Sequence, residues 1–167
     1  MPEATAPTPR WWIFRSPDTA AAIYGTIVAM AAIAGTAHDP TPGRVLALTV
    51  ATLAVFWLAH VYAHALAHHL RGRKQLDWPA IRAAMAEERA LLEGPLPMLV
   101  LLVCGRIGLL AERLAITLSL WAGVAQLVGW GLAYARRQGW GWPTAATAGV
   151  VNGTFGLAIV ALEVLIH

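Results

Sequence analysis

Residues 45–70 form an apolar run without a single Asp, Glu, Lys or Arg, and this run limits the possible folds more than any other feature. As a helix it rises about 39 Å, more than the ~30 Å hydrocarbon core of a bilayer. Similar apolar stretches recur along the chain. We therefore predict an all-α, polytopic integral membrane bundle with about five transmembrane helices, at about 17–36, 45–70, 95–110, 114–135 and 144–166.

The predicted spans differ in how well their length fits a membrane crossing. The 95–110 segment is short for a perpendicular crossing, so it is either extended by Leu91 and Leu92 or re-entrant. Between the second and third spans, residues 77–93 alternate apolar and charged positions at helical intervals. This pattern predicts one amphipathic helix in the membrane interface, stopped by Gly94 and Pro95. Residues 1–16 are an N-terminal tail and interfacial segment, and residues 17–167 form a single transmembrane domain.

Composition agrees with a membrane protein, since 58% of the residues are hydrophobic and only 13% are charged. The net charge of +3 does not indicate nucleic acid, because the basic residues stand in small groups beside apolar runs. With a cytoplasmic N-terminus, nine of the 12 basic residues lie inside. These are Arg10, Arg15, Arg71, Arg73, Lys74, Arg82, Arg89, Arg136 and Arg137. The arginine- and alanine-rich composition indicates a bacterial source, and therefore the cytoplasmic membrane.

The second span carries a stripe of histidines. On a helix, His60, His64 and His68 fall within about 80° of one another, and Trp57 continues the stripe. Polar groups at membrane depth are costly and by default indicate a functional site. Asp18, at the cytoplasmic end of the first span, is either their counter-ion or a helix N-cap.

Three functions fit this stripe. Imidazoles one turn apart can relay protons or line an ion pathway, because histidine changes charge near physiological pH. Alternatively, i, i+4 histidine pairs bind a transition metal, or His60 or His64 binds haem. In the third interpretation the histidines are structural, and the protein is a scaffold that presents the 77–93 helix. An enzyme is not favoured, since membrane di-iron enzymes need more histidines than this chain has.

A second polar group lies near the outer ends of the helices. It consists of Arg106, Glu112, Arg113 and Glu163, and we expect a structural ion pair between Glu163 and Arg106 or Arg113. Trp140 and Trp142 are expected to be interfacial anchors. The small bundle leaves little room for an internal pathway. We therefore expect a homo-oligomer, with the first or last span at the shared surface and lipid elsewhere.

Two short motifs resemble prokaryotic channels of the lysosomal potassium-channel type. Ser16-Pro17-Asp18 is followed by Ala22-Ile23 and Thr26-Ile27, and Trp57-Leu58-Ala59-His60 is similar to the second-helix element of that family. The resemblance implies a channel with a pore constriction at Ile23, Ile27 and Met30, backed by Asp18 and His60. The chain departs from the family in the proline within the first motif and in having five predicted spans where the family has six.

Overall fold

The computed structural model describes residues 19–36, 41–72 and 78–166. These residues form seven helices and no strand. The helices are α1 (Thr19–Thr36), α2 (Pro42–Gly72), α3 (Trp78–Glu87), α4 (Arg89–Glu93), α5 (Leu96–Arg106), α6 (Glu112–Arg137) and α7 (Trp142–Ile166). The predicted helical bundle is confirmed.

Four helices are long and apolar enough to cross a membrane: α1, α2 as far as Ala67, α6, and α7 as far as Leu165. Their outward side chains are largely apolar, with Val55, Tyr62 and Phe155 each more than half exposed. Contiguous apolar surface of this extent is covered by lipid in a membrane bundle. The chain is thus organised as a multi-pass membrane protein.

The segment predicted at 95–110, which was expected to be short for a span, contains a short helix. Helix α5 has 11 residues and rises only about 16 Å, roughly half of the hydrocarbon core. It ends because Gly108 takes a φ of 79°, which lets the N–H of Leu109 bond to the Cys104 carbonyl at 2.9 Å. This backbone reversal is a Schellman motif, and it stops the helix inside an apolar run.

Helix α1 occupies the centre of the bundle and contacts α2, α4, α6 and α7. Its small residues allow close approach. A Cβ on Gly25 would collide with the backbone of Leu91 in α4, and a Cβ on Gly94 would collide with the backbone of Ala22. Membrane helices commonly pack through small residues in this way.

Helix α6 packs between α5 and α7. Gly123 accommodates Met30 of α1, and the Ser119 hydroxyl donates to the Met98 carbonyl of α5 at 3.1 Å. On the other side, Gly149, Gly153 and Gly156 of α7 meet side chains or backbone of α6, including Val128 and Val124. The small-residue face of the last span is thus used for packing within the chain.

Candidate functional site

His64 lies between two glutamates that come from another part of the chain. Its Nε2 is 2.8 Å from Glu87 Oε2, and its Nδ1 is 3.2 Å from Glu88 Oε1. Glu87 is the last residue of α3, and Glu88 lies between α3 and α4. The two carboxylates therefore contact opposite edges of one imidazole ring and connect α2 to the junction between α3 and α4.

The backbone explains how two consecutive residues reach both ring nitrogens. Glu88 has φ −83° and ψ 1°, outside regular helical geometry, so the helix is interrupted at this residue. Nearby, Ala84 packs against Val61 and Ala65 in a small apolar cluster that holds α3 on α2. The apolar contact sets the distance between the helices, and the interruption at Glu88 spreads the two carboxylates around the imidazole.

The number of protons on this cluster of His64, Glu87 and Glu88 decides how many of its contacts are hydrogen bonds. A neutral imidazole has one N–H and one lone pair, and an ionised carboxylate only accepts hydrogen bonds. Both contacts are hydrogen bonds only when the three groups share two protons. This is satisfied by an imidazolium with two carboxylates, or by an imidazole with one carboxylic acid. Losing one proton places a lone pair against a carboxylate.

Solvent reaches the three groups unequally. The side chains of His64 and Glu87 are 36% and 59% exposed, whereas Glu88 is only 15% exposed. Water weakens an exposed ion pair much more than a sheltered one. His64 makes a further contact besides these two. The cluster is thus exposed at His64 and Glu87 and sheltered at Glu88.

His60 does not join this cluster. Its Nδ1 donates to the Phe56 carbonyl one turn earlier at 2.9 Å, and its ring lies 5.1 Å from the ring of Tyr24. Tyr24 and Phe56 are themselves partly exposed, at 38% and 36%. The structure therefore separates the predicted stripe: His60 faces α1 and the outer surface, whereas His64 faces α3.

The other predicted lining residues lie in different surroundings. Trp57 is half-buried between the main core and the Val61 cluster, and its Nε1 has no hydrogen-bond partner among the described residues. The backbone of His68 belongs to α2, but its side chain lies outside the described residues, as does all of Asp18. In the described part of the chain, no group of three or more His, Cys, Asp or Glu side chains is arranged so that it could hold a metal ion.

The residues predicted to form a constriction pack inward. Met30 is fully buried, and Ile23 and Ile27 lie half-buried against the same core. Because α2, α4, α6 and α7 of the same chain contact α1, these side chains meet protein.

The predicted outer ion pair does not form. Within the described ranges, the ion pairs shorter than 4.0 Å lie elsewhere, at His64 and between Arg89 and Glu93. Arg106 instead lies against Gly43 at the start of α2, and Arg113 and Glu112 are exposed at the start of α6. Glu163 is half-buried three residues before the end of α7. A charge this close to a helix end reaches the polar headgroups, so it does not require a protein partner.

Gln126 lies in α6 and was not predicted as a site residue. Its Nε2 donates to the carbonyl of Gly94, and its Oε1 is buried without a partner in the described part of the chain. The Gly94–Pro95 break leaves that carbonyl outside the helical ladder, since Met98 N–H bonds instead to the Pro95 carbonyl at 3.0 Å. Two sequence features could have predicted this contact: a single side-chain amide in an otherwise apolar span, and a Gly-Pro break that leaves a backbone carbonyl without its helical partner.

Comparisons with protein families, with curated proteins and with solved structures find no match for this chain.

Proposed function

We propose that this chain is a small multi-pass protein of the bacterial cytoplasmic membrane, with a cytoplasmic N-terminus, that conducts ions in a proton-responsive manner. The observation that carries the proposal is the placement of both His64 ring nitrogens against carboxylates at the junction between α3 and α4. Histidine is the side chain that ordinarily changes charge between pH 5 and 8. A histidine that connects two helices through both nitrogens makes the contact between them depend on proton binding.

The response follows from the proton count. With two shared protons, both glutamates hold His64, and α3 is fixed to α2. When pH rises and one proton leaves, the repulsion between a lone pair and a carboxylate releases one contact. The other charged groups of this segment are Arg82, which is exposed, and Arg89 and Glu93, which form an ion pair at 3.6 Å. Docking of α3 is therefore strongest at mildly acidic pH and weakens toward alkaline pH.

A change in the contact between α2 and the α3–α4 junction would affect α1, at the centre of the bundle. The α3–α4 segment leads directly to the Gly94–Pro95 break, where the backbone lies against Ala22 and Gly25 of α1. Packed interfaces of this kind shift between discrete arrangements and do not deform continuously. In the proposal, proton loss at His64 alters the packing of α4 against α1.

We place the ion pathway between copies of the chain. The core of one chain is filled by fully buried side chains such as Met30, Leu91 and Leu127. In helix α1, 44% of the apolar window is buried, whereas only 17% of the apolar window of α7 is buried. A homo-oligomer would therefore have α7 at the interface between copies. The pathway is then not constricted by Ile23, Ile27 and Met30, which lie in the core of one chain.

The test measures proton or potassium flux in proteoliposomes at several values between about pH 5 and pH 8, the range in which histidine titrates. The variants are His64→Gln, which cannot become cationic, and His60→Gln as a matched control on the same helix. We expect pH-dependent flux in the wild type and in His60→Gln, and pH-independent flux in His64→Gln. Absence of flux in the wild type would overturn the ion pathway.

A second readout separates the proton response from conduction. Hydrogen exchange of residues 78–93 should be slower at about pH 5.5 than at about pH 8, after correction for intrinsic exchange, because proton binding holds α3 on α2. His64→Gln should remove the difference. Equal protection at both pH values in the wild type would show that His64 does not act as a proton-dependent contact.

A further inference from the structure

The turn between α6 and α7 holds an arginine in a defined orientation. The guanidinium carbon of Arg136 lies 4.6 Å from the centre of the Trp142 ring, and its Nη1 donates to the Trp140 carbonyl at 3.0 Å. Trp140 in turn packs edge-on against Tyr134, with ring centroids 6.5 Å apart. The guanidinium therefore lies on an aromatic surface, with one donor in use and others free.

The backbone makes this turn rigid. Gly139 has a φ of 77°, its N–H bonds to the Arg136 carbonyl at 3.1 Å, and the N–H of Trp140 bonds to the Ala135 carbonyl at 3.1 Å. This is a complete Schellman motif. It turns the chain back so that the carbonyl of Trp140 meets the guanidinium of a residue one turn earlier. The orientation of Arg136 is thus determined by the fold and does not depend on a ligand.

Among the described residues, no carboxylate forms an ion pair with the positive charges of this region. Residues 134–147 contain no Asp or Glu, and Arg137 adds a second guanidinium next to Arg136. Both arginines are exposed, and the ion pairs formed by the described residues lie in other parts of the chain. Tyr134, Trp140 and Trp142 are all exposed aromatics at the ends of two apolar helices, the position where tryptophan and tyrosine meet lipid headgroups.

We propose that this corner, formed by Tyr134, Arg136, Arg137, Trp140 and Trp142, binds the phosphate of an anionic phospholipid. Arg136 presents its planar fork to the phosphate oxygens, Arg137 adds charge, and the aromatic rings lie along the upper acyl chain. Guanidinium pairs with phosphate through two parallel hydrogen bonds more effectively than a point charge does. The inference is independent of the His64 cluster and of ion conduction.

The experiment uses the full-length protein in a neutral detergent. Dioleoyl phosphatidylglycerol or dioleoyl phosphatidylcholine is added, and bound lipid is counted by native mass spectrometry. We expect phosphatidylglycerol to be retained about tenfold more strongly than phosphatidylcholine, since only the former carries a net negative charge for Arg136 and Arg137. Equal retention of the two lipids would overturn the proposal.

Three variants locate the site. Arg136→Gln should lower phosphatidylglycerol retention about tenfold, and Trp142→Leu about threefold, because it removes the aromatic surface but keeps an apolar anchor. Arg136→Lys keeps the charge, and should fall between wild type and Arg136→Gln because it loses the fork. Arg113→Gln, an exposed arginine at the other end of α6, is the matched control and should bind as the wild type does.

The last experiment adds inorganic phosphate, because a free anion would bind to the same guanidinium groups. We expect millimolar phosphate to leave phosphatidylglycerol retention unchanged. Full displacement by phosphate would identify the corner as a site for a free anion and would overturn the lipid assignment, as would wild-type retention in Arg136→Gln.

Discussion

The side-chain amide of Gln126, near the middle of α6, donates to the backbone carbonyl of Gly94, where the segment running from α3 to α5 breaks. In a continuous helix the N–H of Met98 would bond to this carbonyl, but here it bonds to the Pro95 carbonyl at 3.0 Å. In an apolar environment an unsatisfied carbonyl is costly, and helix breaks persist where a neighbouring helix supplies the missing donor. Gln126 supplies that donor.

Replacing Gln126 by Leu removes this donor and should destabilise the bundle. The loss is expected to be about 1 kcal/mol, because the carbonyl loses its partner while the unpaired Oε1 also disappears, which offsets part of the cost. The free energy of unfolding is measured by denaturant titration in detergent micelles. Gln138→Leu, at the exposed end of the same helix, is the control and should leave stability unchanged. Equal stability of both variants would contradict the role of Gln126.

Gly25→Ala should be clearly destabilising. The added Cβ would meet the backbone of Leu91, and a backbone carbonyl cannot move aside as a flexible side chain can. Overpacking of this kind costs about 1–3 kcal/mol. Gly35→Ala is the matched control on α1, since a Cβ there meets nothing within 4 Å. Thermal unfolding in detergent should rank Gly25→Ala below the wild type and Gly35→Ala level with it or above it. The reverse ranking would mean that α4 does not pack closely on α1.

The sequence was sufficient to predict the long helices, because length and lack of charge are local properties. The structure places α7 at Trp142–Ile166 where a span at 144–166 is predicted, and it breaks the helix at Gly94 and Pro95 as predicted. The end of α5 was not predicted. Gly108 lies within an apolar run, and only its positive φ shows that it terminates the helix. Glycine is compatible with either conformation, so its identity alone does not decide.

The candidate site was predicted only in part. His64 stands out by its residue type and its depth in an apolar run, but its partners Glu87 and Glu88 are more than twenty positions away, and only Glu87 lies on the charged side of the predicted 77–93 helix. The prediction that His60 and His64 line one site is also wrong, because tertiary packing gives the two side chains different neighbours. Side chains within 40° of each other on an ideal helix still meet different neighbours when one turn packs on α1 and the next on α3.

Glu163→Gln should change stability by less than about 0.5 kcal/mol, the range typical of substitutions away from specific interactions. The described residues place no cation within 4.0 Å of this carboxylate, and its position at the end of α7 lets it reach the headgroups. Unfolding in detergent is compared for Glu163→Gln, Arg113→Gln and the double variant. Additive effects are expected. A coupling above about 1 kcal/mol between the two positions would restore the ion pair that the sequence suggested.

The two contacts of His64 should contribute unequally, and in an order that distance alone does not predict. Glu87 is closer, at 2.8 Å, but 59% exposed, whereas Glu88 is at 3.2 Å and 15% exposed. Double-mutant cycles with His64→Gln, measured by unfolding near pH 6, should give about 0.2–1 kcal/mol for Glu87→Gln. The coupling to Glu88→Gln should be larger, because less water competes for that contact. Raising the salt concentration to about 1 M shortens the screening length to ~3 Å, and should therefore abolish the first coupling while most of the second remains. If the coupling to Glu87 proved larger and insensitive to salt, solvent exposure would not control the strength of these contacts. Glu87, at the end of α3, would then be the stronger partner of His64.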